Sequence, residues 1–266
     1  MRDSFYTQTV STSQRSEAAS PAKTARLLLR LLRAGQPVSR IELARRAGVN
    51  RSTVTDTFKP LIGANLVREE SLNNISRGQG RPPVGLIFNN DDEVFAGVSL
   101  GVRLSQVGLT TLSGANLGEI EFETPHNPED ALKLVRDNLT ELSAQFPERK
   151  LRVIGISVPG VIDAARRKLL YAPHLDWRDV AIADRLQDAD FRCKPCGVTK
   201  IVVENDATAA AVYESRLRLQ KTNGGVVQDF VLVRSGTGIG VGLVIGGEVY
   251  RGTGKGQGIA GEFGHM

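Results

Sequence analysis

The sequence predicts an α/β protein in two parts: a small, basic, mostly helical module followed by a larger domain of mixed strands and helices. Three observations predict it. Apolar residues recur at helical spacing up to Ile62 and in short Val-, Leu-, Ile- and Gly-rich runs from Glu93 onward, and a change of period marks a change of architecture. The charge divides at the same place: residues 21–90 carry 12 Lys/Arg against 4 Asp/Glu, a net of +8, while residues 91–266 carry −3. The length, 266 residues, holds a module of about 70 residues and one larger domain, since domains run from roughly 50 to 200 residues.

Residues 1–20 are dominated by Ser, Thr, Gln and Ala and lack the apolar core of a secretion signal, so they are expected to be a disordered tail. No apolar run approaches the roughly 18 residues that a membrane span needs, and a cytoplasmic protein without membrane contact is expected. The two cysteines, Cys193 and Cys196, are too few for a disulfide framework. Their C-x-x-C spacing is half of a four-cysteine zinc site, and they are read as two loop thiols.

Taken in order, the module (residues 21–90) opens with a helix over 22–33, where Leu28, Leu31 and Leu32 fall on one face and Lys23, Arg26, Arg30 and Arg33 on the wet one. Gly35 and Pro37 break it. Ser39 with Glu42 fits the capping box, in which two side chains satisfy free backbone N–H groups at a helix start. A second helix begins there, carries Ile41, Leu43, Ala44 and Ala47, and ends at Gly48, which tolerates the left-handed conformation of a helix terminus. After a tight turn, Asn50 can cap a third helix with Val54, Phe58, Leu61 and Ile62 inward and Arg51, Ser52, Thr53, Thr55, Thr57 and Lys59 outward. Pro60 lacks the N–H that would bond Asp56, and a kink or early end is expected there. Leu66–Glu70 and Val84–Phe88 are expected to pair as strands around a basic, Gly-rich tip, Ser76 to Pro82.

This is the pattern of a winged helix-turn-helix. Short hydroxyl and basic side chains at the start of a helix after a Gly turn can reach base edges and phosphates in the major groove. Arg51, Ser52, Thr53, Thr55 and Lys59 are the candidate DNA contacts on the helix, and Arg77 and Arg81 are those on the wing. A basic module on a near-neutral body fits a polyanion partner.

In the second domain (residues 91–266), three strands are expected at Phe95–Leu100, Gln106–Leu112 and Gly118–Phe122. A helix over Pro128–Phe146, a strand over Leu151–Val158, a helix near Val180–Gln187 and a strand over Ile201–Glu204 follow. The order describes a mixed α/β domain. Asn205 and Asp206 fall where a strand gives way to a helix, a position that aims polar groups into a cleft or simply caps the helix. Gly236, Thr237, Gly238 and Gly240 form a Gly-rich turn whose N–H groups can cradle a phosphate.

Four ordered segments, Ile154-Gly-Ile-Ser-Val-Pro-Gly-Val-Ile-Asp163, Val203-Glu-Asn-Asp-Ala-Thr-Ala-Ala-Ala211, Ser235-Gly-Thr-Gly-Ile-Gly-Val-Gly242 and Ala260-Gly-Glu-Phe-Gly-His265, resemble the ROK family of sugar kinases and repressors. With the module in front, residues 22–266 resemble its repressor branch. The resemblance implies an actin-like (RNase H-like) ATPase fold for the second domain, and sugar hydroxyls held by Asn205, Asp206, Glu262 and His265. In the family's kinases the aspartate matching Asp206 is the general base.

Two departures shape the expectation. Where family kinases read D-x-G-G-T, this chain reads Ser99-Leu100-Gly101-Val102-Arg103: Ser99 replaces the acid, and Arg103 the threonine. Phosphoryl transfer is therefore not expected, with Asp206 the base only were the chain a kinase. The sequence also holds no C-x-C-G-x-x-G-C stretch after His265, so no structural zinc, no other metal and no cofactor is expected, and the second lobe is expected to be incomplete. Extra sequence around Gly254-Lys255-Gly256 points to an altered loop before Glu262. The function expected is a DNA-binding regulator, a repressor of sugar-metabolism genes, that binds double-stranded operator DNA as a homodimer and answers to a sugar or sugar phosphate. A hexose kinase with an N-terminal extension, and a truncated remnant without ligand response, are the alternatives.

Overall fold

A computed structural model describes residues 21–72, 84–187, 200–221, 229–235 and 237–252. The leucine stripe of the first helix forms as expected: α1 (Pro21–Gly35) buries Leu28, Leu31 and Leu32. Next, α2 (Arg40–Ala47) buries Leu43 and Ala44, and α3 (Arg51–Gly63) buries Val54 and Phe58. These faces share one cluster with Val38, Val67, Leu86 and Phe88.

The Ser39 hydroxyl accepts a hydrogen bond from the Glu42 backbone N–H at 3.2 Å. The Glu42 carboxylate does not complete the box. Arg45 and Arg46 hold it at 2.6–2.9 Å, since charge-assisted bonds outcompete a neutral amide. Gly48 closes α2 at φ +64° with nothing near a Cβ, so conformation rather than space requires glycine there. Asn50 occupies the N-cap position of α3, but its side chain makes no capping bond.

Pro60 does not end the helix, since α3 runs on to Gly63 with the proline inside it. It lies in the exposed last turn, where water can serve the orphaned Asp56 carbonyl. Phe58, fully buried, anchors the helix just before it, and the Pro60 carbonyl still accepts from Ala64 N–H at 2.9 Å.

Strands β2 (Val67–Ser71) and β3 (Val84–Phe88) pair antiparallel. The short β1 (Val38–Ser39), which two residues of sequence could not announce, takes the other edge of β3. Arg77 and Arg81, on the tip between β2 and β3, lie outside the described residues.

Beyond Asp92 the period falls to two. β4 (Glu93–Ser99), β5 (Leu104–Thr110), β6 (Asn116–Glu123), β7 (Lys150–Val158) and β11 (Lys200–Asn205) form one sheet in the order β11-β7-β4-β5-β6. β4, β7 and β11 run parallel, and β5 and β6 complete an antiparallel meander. α4 (Pro128–Ala144), started by Pro128 and by Asn127 accepting from Glu129 N–H at 2.8 Å, covers one face through Ala131, Leu132, Val135, Leu139 and Leu142.

Three short strands, β8 (Val161–Ile162), β9 (Leu169–Ala172) and β10 (Trp177–Val180), make a separate antiparallel sheet. With α5 (Ile182–Gln187) it delivers Trp177 to the main core, and the indole N–H donates to the His126 carbonyl at 2.6 Å.

After β11, α6 (Asp206–Lys221) leads to a second antiparallel sheet of β12 (Phe230–Ser235), β13 (Ile239–Ile245) and β14 (Glu248–Tyr250). Glycines let the helix sit on these strands: a Cβ at Gly240 would lie 2.8 Å from that of Ala207, and one at Gly242 2.4 Å from that of Ala211. α6 also packs against α1. No helix among the described residues is long and apolar enough to cross a membrane.

Candidate functional site

Parallel strands end together, and their C-terminal edge is where an α/β sheet opens a crevice. Here β4, β7 and β11 end at Ser99, Val158 and Asn205, and the residues that follow them, Gly101–Val102, Pro159–Gly160 and Asp206, form one wall of a cleft of about 340 Å³. The second sheet supplies the facing wall, with Arg234 from β12 and the turn Thr237–Gly240. Ala172, Pro173 and His174 close one end.

Two glycines in the first wall answer to the backbone itself. A Cβ at Gly160, whose φ is +112°, would meet the Tyr171 carbonyl oxygen at 2.2 Å, and one at Gly101 would meet that of Leu104 at 2.2 Å. Neither residue is free to change whether or not a phosphate visits the cleft.

Asn205 is buried. Its Nδ2 donates to the Gly160 carbonyl at 3.1 Å, and its Oδ1 accepts from Thr208 N–H at 3.0 Å, the bond of a helix cap. Asp206 Oδ1 accepts from Ala207 N–H at 2.8 Å, while Oδ2 forms an ion pair with the Arg234 guanidinium across the cleft. Capping and cleft-lining thus coincide in this pair. Helix start and ion pair together hold the Asp206 carboxylate fixed, leaving a half-exposed guanidinium beside it.

The preceding residue, Glu204, is also buried and takes Arg166 and Arg251, each at 2.8 Å. It ties the loop after β8 and the exit of β14 to β11. Desolvation first, and then the neighbouring Arg251 charge, lower the Arg166 pKa against the opposing pull of Glu204.

Of the residues singled out from sequence, Asn205, Asp206, Thr237, Gly238 and Gly240 meet in this cleft. Gly236, Glu262 and His265 lie outside the described residues, as do Cys193 and Cys196. Among the described residues no three His, Cys, Asp or Glu side chains converge as a metal site. In the segment 99–103, Ser99 and Arg103 are exposed and Val102 lines the cleft.

Sequence reasoning missed Arg234 and His174. The first carries a visible signal, being the one charged residue in the strand Phe-Val-Leu-Val-Arg-Ser. His174 carries none, because the strand before it is too short to show a period.

Away from the cleft, α3 exposes Arg51, Ser52, Thr55 and Lys59 and half-buries Thr53, opposite the buried Val54 and Phe58. The Thr55 hydroxyl donates to the Arg51 carbonyl at 3.1 Å and that of Thr57 to Thr53 at 2.8 Å, leaving hydroxyl lone pairs to accept from outside.

The ROK family model matches residues 95–266. The xylose repressor of Bacillus spizizenii is 31% identical over 247 residues, which cover 91% of this chain and 59% of the repressor. A solved ROK family transcriptional regulator, a homologue of the E. coli MLC protein, aligns with a TM-score of 0.64 at 27% identity, over 88% of this chain and 57% of that one. A ROK family glucokinase from Streptomyces griseus, solved with glucose and AMPPNP, aligns with a TM-score of 0.54 at 29% identity, over 65% of this chain and 50% of its own. The chain therefore spans half to three-fifths of the length of these proteins.

Proposed function

The chain belongs to the ROK family, and on that footing we propose that it is a DNA-binding transcriptional regulator, a repressor of sugar-metabolism genes. Residues 21–90 act as a winged helix-turn-helix on double-stranded operator DNA, and residues 91–266 bind a sugar or sugar phosphate. The observation that carries this reading is α3, which follows a glycine turn and pairs a buried Val54–Phe58 face with an exposed one of hydroxyl and basic side chains beside a single acid, Asp56. That is the geometry a recognition helix needs in a major groove. Coverage adds support: the repressor aligns over 91% of this chain and so reaches into the first 90 residues, while the glucokinase stops at 65%.

The cleft supports the ligand half. Asp206 accepts and Arg234 donates within it, and neighbouring donors and acceptors are what vicinal hydroxyls require. The residue at position 99 argues against catalysis. No acid stands at Ser99 to position a metal-nucleotide. We infer a sensor without kinase activity or cofactor, which acts as a homodimer because helix-turn-helix proteins read paired half-sites.

The test is a fluorescence-anisotropy titration of duplex DNA from the gene's upstream region, beside a scrambled duplex, at fixed salt. Native chain should prefer the upstream duplex. Arg51→Ala should cost about 1–3 kcal/mol, roughly 5- to 150-fold in Kd. Equal, weak binding of both duplexes, unchanged by the substitution, would refute operator reading. D-xylose, named by the relative, is the first effector to add, and coupled ATP turnover with a hexose panel should stay at background.

A further inference from the structure

The helix α1 is held along one face by the two sheets that line the cleft, at their ends away from it. Arg26, Arg30 and Arg33 fall at i, i+4 and i+7 and so line one side of the helix. Arg33 Nε donates to the Ser113 carbonyl at 3.1 Å, in the turn between β5 and β6 of the five-stranded sheet. Its guanidinium occupies the space beside Gly114, where a Cβ would lie 2.5 Å from Nη2. One turn of helix away, Arg30 Nη1 donates to the Gly247 carbonyl at 3.0 Å. Glu248 faces Arg26 at 3.7 Å and Arg30 at 3.6 Å. Gly247 lies in the turn between β13 and β14 and Glu248 opens β14, on the second sheet.

Those two sheets are the walls that face each other across the cleft. The same helix is also the central support of the basic module, since Leu28, Leu31 and Leu32 share one buried cluster with α2 and α3. α6 completes the path, starting at Asp206 in the cleft and packing along α1.

We propose that α1 is a strut that joins, at their ends away from the cleft, the two sheets that line it, and converts a change in their relative position into a displacement of α3. The inference rests on the reading of the cleft as an effector site and of α3 as the DNA-reading helix, and it adds the physical connection between them. Binding can alter a distant affinity only through an element whose arrangement both sites bias. α1 satisfies that condition by contact with the first sheet through Arg33, with the second through Arg30 and Glu248, and with α3 through α2 and the buried cluster that the three helices share. Charge makes the second anchor releasable. Arg216 of α6 is lowered in pKa by desolvation first and then by Arg33 and Arg30, so cations crowd this junction and the Glu248 carboxylate offsets them.

Hydrogen exchange on the full chain, without ligand or DNA, tests the strut directly. Arg33→Met loosens the first anchor and Glu248→Lys repels the second. If α1 joins the walls, Arg33→Met should raise exchange severalfold at residues 246–250, and Glu248→Lys should do so at residues 111–115. Increases confined to each variant's own wall would overturn the proposal. Anisotropy then reads the consequence, with the upstream duplex as probe and D-xylose as effector. Both variants should bind the duplex as the native chain does within about threefold, yet lose most of the effector response, which is about 5- to 150-fold for typical coupling. Variants that keep the full response would equally overturn it. A native chain that binds no duplex selectively would instead sink the regulator reading, while the exchange result would still decide whether α1 joins the walls.

Discussion

In the five-stranded sheet the two faces differ, and in the three-stranded sheet they do not. β4 buries Val94, Ala96 and Val98 and turns Gly97 and Ser99 out; β5 buries Val107 and Leu109 and turns out Gln106. In the second sheet, Val244 is buried on the face that α6 covers. On the other face Val231 pairs with Leu243 and Val233 with Val241, and Val231, Val233, Ile239 and Ile245 are all exposed by 58–64%. A strand with one polar face is complete under one layer of cover. Strands apolar on both faces are the pattern of a sheet covered twice, so in the second sheet only one cover is present among the described residues. A buried change should therefore be ruinous in the first sheet and nearly silent on the outer face of the second.

The largest effect is expected from Val107→Asp. Val107 is fully buried among neighbours that offer a carboxylate no partner of its kind, and burying one there costs about 4 kcal/mol or more. That is a large part of the roughly 5–15 kcal/mol holding a typical domain. Urea unfolding followed by circular dichroism should show no native baseline. A cooperative transition near the native midpoint would mean that this face is less closed than the burial indicates.

Gly242→Val should come next and isolates the covered face of the second sheet. The added Cβ meets the Ala211 Cβ at 2.4 Å and the Ala207 carbonyl oxygen at 2.6 Å, both on the helix rather than at the tip of a flexible side chain. Overpacking of this kind costs about 1–3 kcal/mol. Because α6 begins at Asp206, displacing it should also weaken any effector-induced rise in Tm, whereas a purely local clash would lower Tm and leave that rise intact.

How much of this was legible follows the same divide. The apolar stripes of α1, α2 and α3 and the alternation of β4 and β5 each repeat often enough to fix a period, and their elements stand within a few residues of expectation. The segments β1 and β8 have two residues each, and β9 and β10 four, too few for any period, so the place of β1 beside β3 and the whole sheet of β8, β9 and β10 were invisible. Pro60 did not end α3 because a local rule about N–H groups was outweighed by the anchoring of Phe58. At the cleft, Asn205 and Asp206 could be read from a strand-to-helix junction, and the Gly-rich turn from composition. Arg234 could be seen as odd, but its partner lies 28 residues earlier, and a pairing across two sheets is a property of the fold.

On the outer face of the second sheet, Val233→Lys should change stability by no more than about 0.5 kcal/mol, as expected for an exposed site. It should nevertheless lower binding of a hydrophobic dye and raise solubility, since it interrupts a contiguous apolar patch. A loss of several kcal/mol would show that this face is covered and that the contrast between the sheets is smaller than the burial implies.

The smallest effect tests the opposite extreme, a surface held by charge rather than by apolar burial. On α2 the Glu42 carboxyl is lowered to a pKa of about 2, chiefly by hydrogen bonds from the Arg45 and Arg46 side chains, with desolvation pulling the other way. A lowered folded-state pKa stabilises above the unfolded value, near 4.5, and that contribution is lost as pH falls from there toward about 2. Because Arg45 is 69% exposed and solvent screens such pairs, the whole effect should be about 0.3 kcal/mol. Urea midpoints of native chain and Glu42→Gln should therefore differ slightly near neutral pH, and the gap should shrink in high salt and close in acid. A gap that persists unchanged below about pH 2, where both chains carry a neutral side chain, would mean that Glu42 acts through packing, and that even this exposed helix is held together as the sheets are.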